Sequence, residues 1–181
     1  MARTCQIAMA LLALYAVIYG VAATFHGWEW QHGLASAVLA PLLVVLTTID
    51  LSSFRLPDPL TLLLFVAGVA VAVLTGVDTL PWNLVAAGLG ASGLYVVARL
   101  YRHVRGRPGL GLGDAKLYGA GGMWVGLDGL TTVLLVACLS ALVAVGVAVL
   151  AGRKIEATTP LPFGPFLCFG IWTTWCFGPA F

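Results

Sequence analysis

Two aspartates stand out in a chain otherwise dominated by apolar residues. Asp50 closes Thr48-Ile49-Asp50 at the end of one hydrophobic run, and Asp114 closes Gly111-Leu112-Gly113-Asp114 at the start of another. A carboxylate at membrane depth is costly to keep, so it marks a candidate functional site. Two of them at matched depth suit an aspartic protease, in which one acid and one base work around a single water. Asp50 sits where a helix should end, so desolvation and the negative end of the helix dipole favour its neutral form. Asp114 should open a helix, where free backbone N–H groups favour the anion, and Lys116 is near enough in sequence to add to that. The expected roles are Asp50 as acid and Asp114 as base, titrating as a coupled pair. Each has a purely structural alternative: a helix N-cap for Asp114, and a solvated position just outside the membrane for Asp50.

The elements that must carry these residues follow from composition. Of 181 residues, 61% are hydrophobic and 9% charged, with a mean hydropathy of +1.02. A soluble domain is about 25% charged, so this chain has too few polar groups to cover a surface in water, and its solvent must be lipid. The expected fold is all-α and polytopic, with about seven transmembrane helices near 5–24, 33–50, 59–76, 82–100, 114–127, 129–151 and 163–178, in one domain. The first of these is longer than the apolar core of a signal peptide and reads as a retained span. Threading the seven alternately through a bilayer sends all nine Lys and Arg to one side, and Glu29, Asp78 and Asp128 to the other. The positive-inside rule then makes the N-terminus cytoplasmic and the C-terminus external. Asp50 and Asp114 both land on the cytoplasmic face of this multi-pass protein.

The fifth stretch, 114–127, is short for a span and holds Gly119, Gly121, Gly122 and Gly126. Small residues at such spacing let helix backbones approach, so they read as packing positions. Asp58 before Pro59 reads as an ordinary helix start, N-cap then N1. The run Pro160-Leu161-Pro162-Phe163-Gly164-Pro165 fixes irregular backbone at the membrane edge. Such backbone is tolerated only against protein or a wet cavity, which favours a loop packed over the carboxylates.

Several patterns point nowhere. Gly90-Ala91-Ser92-Gly93 has the Gly-x-Ser-Gly form of intramembrane serine proteases, but no histidine falls in a span to activate the serine, so Ser92 reads as packing. His26 and His32, beside Trp28 and Trp30, read as solvated at an outer interface. No Cys-x-x-Cys pair occurs, so no metal or other cofactor is expected, and Cys138, Cys168 and Cys176 read as small buried hydrophobes. The basic tract Arg99–Arg107 has no nucleic-acid motif beside it and reads as a contact with anionic lipid.

Three blocks in order carry a family resemblance: Ile49-Asp50 followed by Arg55-Leu56-Pro57-Asp58-Pro59-Leu60-Thr61-Leu62; Gly111-Leu112-Gly113-Asp114-Ala115-Lys116-Leu117; and Thr159-Pro160-Leu161-Pro162-Phe163-Gly164-Pro165. Together they resemble the type IV prepilin peptidases, the Gly-x-Gly-Asp membrane aspartic proteases. Presenilin-like proteases share the second block, but their first aspartate follows a tyrosine, whereas Ile49 precedes Asp50 here. The resemblance implies that Asp50 and Asp114 are the catalytic pair. It makes Gly111, Gly113, Lys116, Pro57, Asp58, Pro162, Gly164 and Pro165 supporting residues of the active-site loops. It implies an inner-membrane endopeptidase that removes the basic leader of a prepilin or pseudopilin on the cytoplasmic side, without a metal. The absence of paired cysteines implies the short, peptidase-only form, lacking the cytoplasmic zinc-binding domain linked to N-methylation. The competing reading is a small proton-coupled transporter with the aspartates as its relay.

Overall fold

The computed structural model describes residues 2–26, 30–106, 111–152 and 161–179, with backbone alone at 2, 3, 25 and 26. Arg107, Gly109, Arg153, Lys154, Thr159 and Pro160 lie outside the described residues, as do Trp28, Glu29 and the side chains of Arg3 and His26.

The described chain is all helical: α1 (Ala2–His26), α2 (Trp30–Ser53), α3 (Asp58–Thr75), α4 (Leu80–Arg105), α5 (Leu112–Leu150) and α6 (Gly164–Phe177), with one 3-10 turn, Val77–Thr79. Five of the helices are long and apolar enough to cross a membrane. Their outward residues are apolar, up to Leu150 at 89% exposed. Such a surface is stable in lipid, where it replaces one hydrocarbon contact by another. Pro41 sits inside α2, where its ring removes one backbone hydrogen bond of the helix.

Two expected spans, 114–127 and 129–151, fall within the single element α5. Its 39 residues would run about 58 Å if straight, far beyond a hydrocarbon core of about 30 Å. It does not run straight. Gly126 has φ 71° and ψ −174°, a region essentially closed to residues with a Cβ. The Tyr118 hydroxyl donates to the Leu130 carbonyl at 2.7 Å, although twelve residues of straight helix would separate them by about 18 Å. Gly121 packs on Ile171 while Gly170 packs on the Val133 carbonyl. Consecutive residues of α6 can touch both only if α5 doubles back. So α5 is two antiparallel legs, 112–125 and 127–150, reversing over one glycine. Gly126 therefore serves the reversal and not the packing expected of it, whereas Gly119 and Gly122 do pack, against Ala87, Ala91 and Ala86 of α4.

The contacts fix the remaining directions. Leu56 meets Gly113, and farther along Leu64 and Gly68 meet Trp124, so α3 runs parallel to the first leg of α5. Asp50 meets Gly164 and Ser36 meets Trp175, so α2 and α6 are antiparallel. Segments consecutive along the chain thus alternate in direction, and the ends of α2, α3, α5 and α6 that carry the sequence blocks gather at one end of the bundle. The core between them is built from Leu39, Leu43, Leu46, Leu64, Leu117 and Trp172. The Trp172 ring stacks on Tyr15 of α1 at 5.1 Å and its indole N–H donates to the Tyr15 carbonyl, which ties α1 to α6.

Some side-chain expectations change. His32 is not solvated: it stacks on Trp175 at 4.3 Å. Cys138 is exposed, whereas Cys168 and Cys176 are buried. Ser92 is exposed rather than packed, and its hydroxyl returns to the Gly88 carbonyl.

Candidate active site

Asp50 lies in the last turn of α2, 5% exposed, and Asp114 in the first turn of α5, 9% exposed. Both are buried at the same end of the bundle and close enough to act on each other electrostatically. Among the described residues they are the buried carboxylates.

Each is held by a glycine backbone. The Gly111 N–H donates to Asp114 Oδ2 at 3.2 Å, and the Asp114 N–H donates to the Gly111 carbonyl at 3.2 Å. Asp114 is thus the N3 residue of its helix reaching back to the N-cap, the carboxylate half of a capping box, and not the N-cap itself. Across the bundle the Gly164 N–H donates to Asp50 Oδ2 at 3.1 Å. Gly164 is the first residue of α6, after Phe163 and before Pro165. A Cβ there would stand 2.6 Å from Asp50 Oδ2 and 3.1 Å from its Cγ, so only glycine lets the α6 backbone reach the carboxylate.

The backbone donors add a second contribution at Asp50. Asp50 does end α2, at the negative pole of that helix, but its carboxylate also meets the positive pole of α6. Both carboxylates therefore face a helix N-terminus and one backbone donor.

The supporting residues divide. Pro57 is the extended N-cap of α3, with φ −67°, and its carbonyl accepts the N–H groups of Leu60 and Thr61. Gly113 leaves room for Leu56, whose Cβ would stand 3.0 Å from an added Cβ. Pro162 is half-buried in the segment leading to α6. Lys116 does not serve Asp114: its Nζ lies 2.6 Å from Asp58 Oδ1, joining α5 to α3 through an exposed ion pair. Asp58 is the first helical residue, not the N-cap, and its side chain caps nothing.

Sequence reasoning did not single out the layer beneath. Thr47, one turn before Asp50, is 2% exposed; Tyr15 and Cys168 are fully buried beside it. Cys168 lies one turn beyond Gly164 and within the field of both carboxylates. Only the i−3 spacing to Asp50 and the i+4 spacing to Gly164 could have suggested Thr47 and Cys168, and nothing in the sequence points to Tyr15. Phe54, just past α2, has φ 53°, uncommon for a residue with a Cβ, and its N–H closes on the Asp50 carbonyl at 2.9 Å. No group of three or more His, Cys, Asp or Glu able to hold a metal occurs among the described residues.

Residues 37–146, which include both aspartates, match the type IV leader peptidase family. A prepilin leader peptidase/N-methyltransferase of Aeromonas salmonicida is 34% identical over 187 residues, covering 98% of this chain and 62% of the relative. Proteins of the same description from Xanthomonas campestris and Neisseria gonorrhoeae are 34% and 33% identical, covering 84% and 88% of this chain. The chain spans 52% to 62% of the length of these relatives. No solved structure matches it. With its family match across more than half its length, and both buried aspartates inside that match, the chain belongs to the type IV leader peptidase family.

Proposed function

We propose that this protein is a membrane-embedded aspartic endopeptidase that cuts the basic leader from prepilin-like substrates at the cytoplasmic face. The observation that carries this reading is that Asp50 of α2 and Asp114 of α5 are both buried at the same end of the bundle, within electrostatic reach of each other. Each carboxylate has Oδ2 engaged by a glycine N–H, which leaves its Oδ1 for the reaction. One carboxylate takes a proton from water as the oxygen attacks the scissile carbonyl carbon. The other, protonated, gives its proton to the carbonyl oxygen. Collapse of the tetrahedral diol breaks the C–N bond: the carboxyl that took the water proton gives it to the leaving amine nitrogen, while the other carboxylate takes a proton from a diol hydroxyl. The pair ends as it began, holding one proton between the two groups. The α6 entry, with Gly164 and Pro165, holds Asp50 in place; the Gly111–Gly113 turn does the same for Asp114.

The reading includes seven crossings with the N-terminus in the cytoplasm. Support comes from the alternating directions of consecutive segments and from the described basic side chains, Arg55, Arg99, Arg102, Arg105 and Lys116, which lie toward the aspartate end. The α6 helix, 14 residues or about 21 Å, is short for the bilayer and spans with local thinning. A phosphatase reporter fused after Phe181 is expected to be active outside the cytoplasm; activity restricted to the cytoplasm would overturn the orientation.

The activity is tested by co-expressing the protein with a prepilin and sequencing the product. The expected result is a single new N-terminus directly after the leader, just ahead of the apolar helix. Failure to cut a panel of prepilins from the same genome, with the protein inserted and folded, would contradict the proposal.

A further inference from the structure

Hydroxyls inside these helices as a rule return to a backbone carbonyl three or four residues earlier; Ser36, Thr48, Thr61, Thr75 and Thr173 all do so. Thr47 does not. It is 2% exposed, and its Oγ1 closes no hydrogen bond of good geometry among the described residues. A buried hydroxyl in that state is costly, so it marks a position kept for a use. Its place in the bundle supplies one. The Gly164 N–H on Asp50 fixes the level at which α2 and α6 meet. Thr47 lies three residues before Asp50 and Cys168 four beyond Gly164, steps of about 4.5 and 6 Å along two antiparallel helices. They therefore face each other one turn deeper in the bundle. Tyr15 of α1 closes the third side: its hydroxyl and the Cys168 thiol both lie within polar reach of Thr47. Trp172, stacked on the Tyr15 ring and bonded to its carbonyl, holds Tyr15 there.

Resting on the peptidase reading above, we propose that Thr47 is a positioning residue for the reaction: the Tyr15 O–H donates to Thr47 Oγ1, and the Thr47 O–H donates in turn to Asp50 Oδ2. Helical side chains lean toward the N-terminus of their helix, so the Asp50 carboxyl overhangs the turn that carries Thr47. Oδ2 already accepts the Gly164 N–H and keeps a second lone pair, while Oδ1 stays free for the reaction. Of the two groups facing Thr47, Tyr15 sets its direction, because a thiol is only a weak donor. With the Tyr15 proton on its oxygen, Thr47 has its own proton left to point at the carboxylate. Catalytic hydrogen bonds are commonly long before substrate binds and tighten as the reaction proceeds, so a hydroxyl unpaired at rest suits this part. Asp50 is then gripped by the α6 backbone on one side and by a hydroxyl from below.

Thr47→Val keeps the shape of the side chain and removes the hydroxyl. It is expected to lower kcat for a full prepilin about tenfold with KM nearly unchanged. It should melt no lower than wild type, because a methyl group replaces an unpaired hydroxyl. Thr47→Ser, which returns the hydroxyl, should recover most of the lost rate. Thr174→Val is the control. The Thr174 hydroxyl is also buried and unpaired among the described residues, but it lies ten residues beyond Gly164, about 15 Å along α6. Its loss should leave kcat as in wild type. Wild-type kcat in Thr47→Val, a loss that Thr47→Ser does not reverse, or an equal loss in Thr174→Val would each overturn the proposal. A second measurement needs no substrate. In a Thr47→Cys variant, a membrane-permeant oxidant should bridge position 47 to Cys168, read by mass spectrometry of the digested protein. Absence of that bridge would overturn the proposal. If wild type cuts no prepilin while the bridge forms, the layer stands and the peptidase reading fails.

Discussion

Asp50→Asn and Asp114→Asn are each expected to lower the cleavage rate by at least about 10³-fold while the protein remains inserted and folded. Asparagine is isosteric with aspartate and keeps an oxygen able to accept the N–H of Gly164 or Gly111. The backbone anchoring at 3.1 and 3.2 Å can therefore survive the change. What is lost is the ability to take or give a proton. A tenfold rate change corresponds to about 1.4 kcal/mol, so the expected loss is at least about 4 kcal/mol of transition-state stabilisation. Single-turnover cleavage in detergent, beside a thermal melt of each variant, separates lost chemistry from lost structure. A variant that melts normally and cuts within tenfold of wild type would remove that residue from the catalytic pair.

The second large effect falls on a residue with no side chain. Gly164→Ala places a methyl group 2.6 Å from Asp50 Oδ2 and 3.1 Å from its Cγ. Either α6 or the carboxylate must move by several tenths of an ångström, and the N–H that holds Asp50 loses its aim. A misplacement of about 1 Å at a reacting group can cost about 10²-fold, so kcat should fall about 30- to 100-fold with little change in KM. The helix itself gains slightly from alanine, which keeps gross unfolding from mimicking the effect. Gly146→Ala serves as the control, because its added Cβ meets nothing within 4 Å. A Gly164→Ala enzyme within threefold of wild type would show that the α6 N–H does not set the position of Asp50.

The helical, membrane-crossing character of the chain was legible in the sequence because nothing else can be built from so few polar groups. The two aspartates were legible because carboxylates are rare in such surroundings, and the order of three short blocks tied them to one family. Other features depend on contacts between distant segments. Periodicity suggested a boundary near 127–129, but not that α5 continues through it with a single extended glycine at Gly126 making the reversal. Lys116 is two residues from Asp114 and was read as its partner; the helix turns it toward α3, where Asp58 waits 58 positions away. Asp50 was assigned the negative end of α2, and only the packing of α6 reveals that a second helix offers it a positive end.

The central claim is that two carboxylates serve one water. The most direct test is the double variant Asp50→Asn/Asp114→Asn, measured beside both single variants in the same single-turnover assay. Groups that act as a unit are not additive, so the double variant should be no slower than the slower single variant, within about threefold. A double variant whose loss equals the product of the two single losses would mean that the aspartates act independently, and would contradict the account.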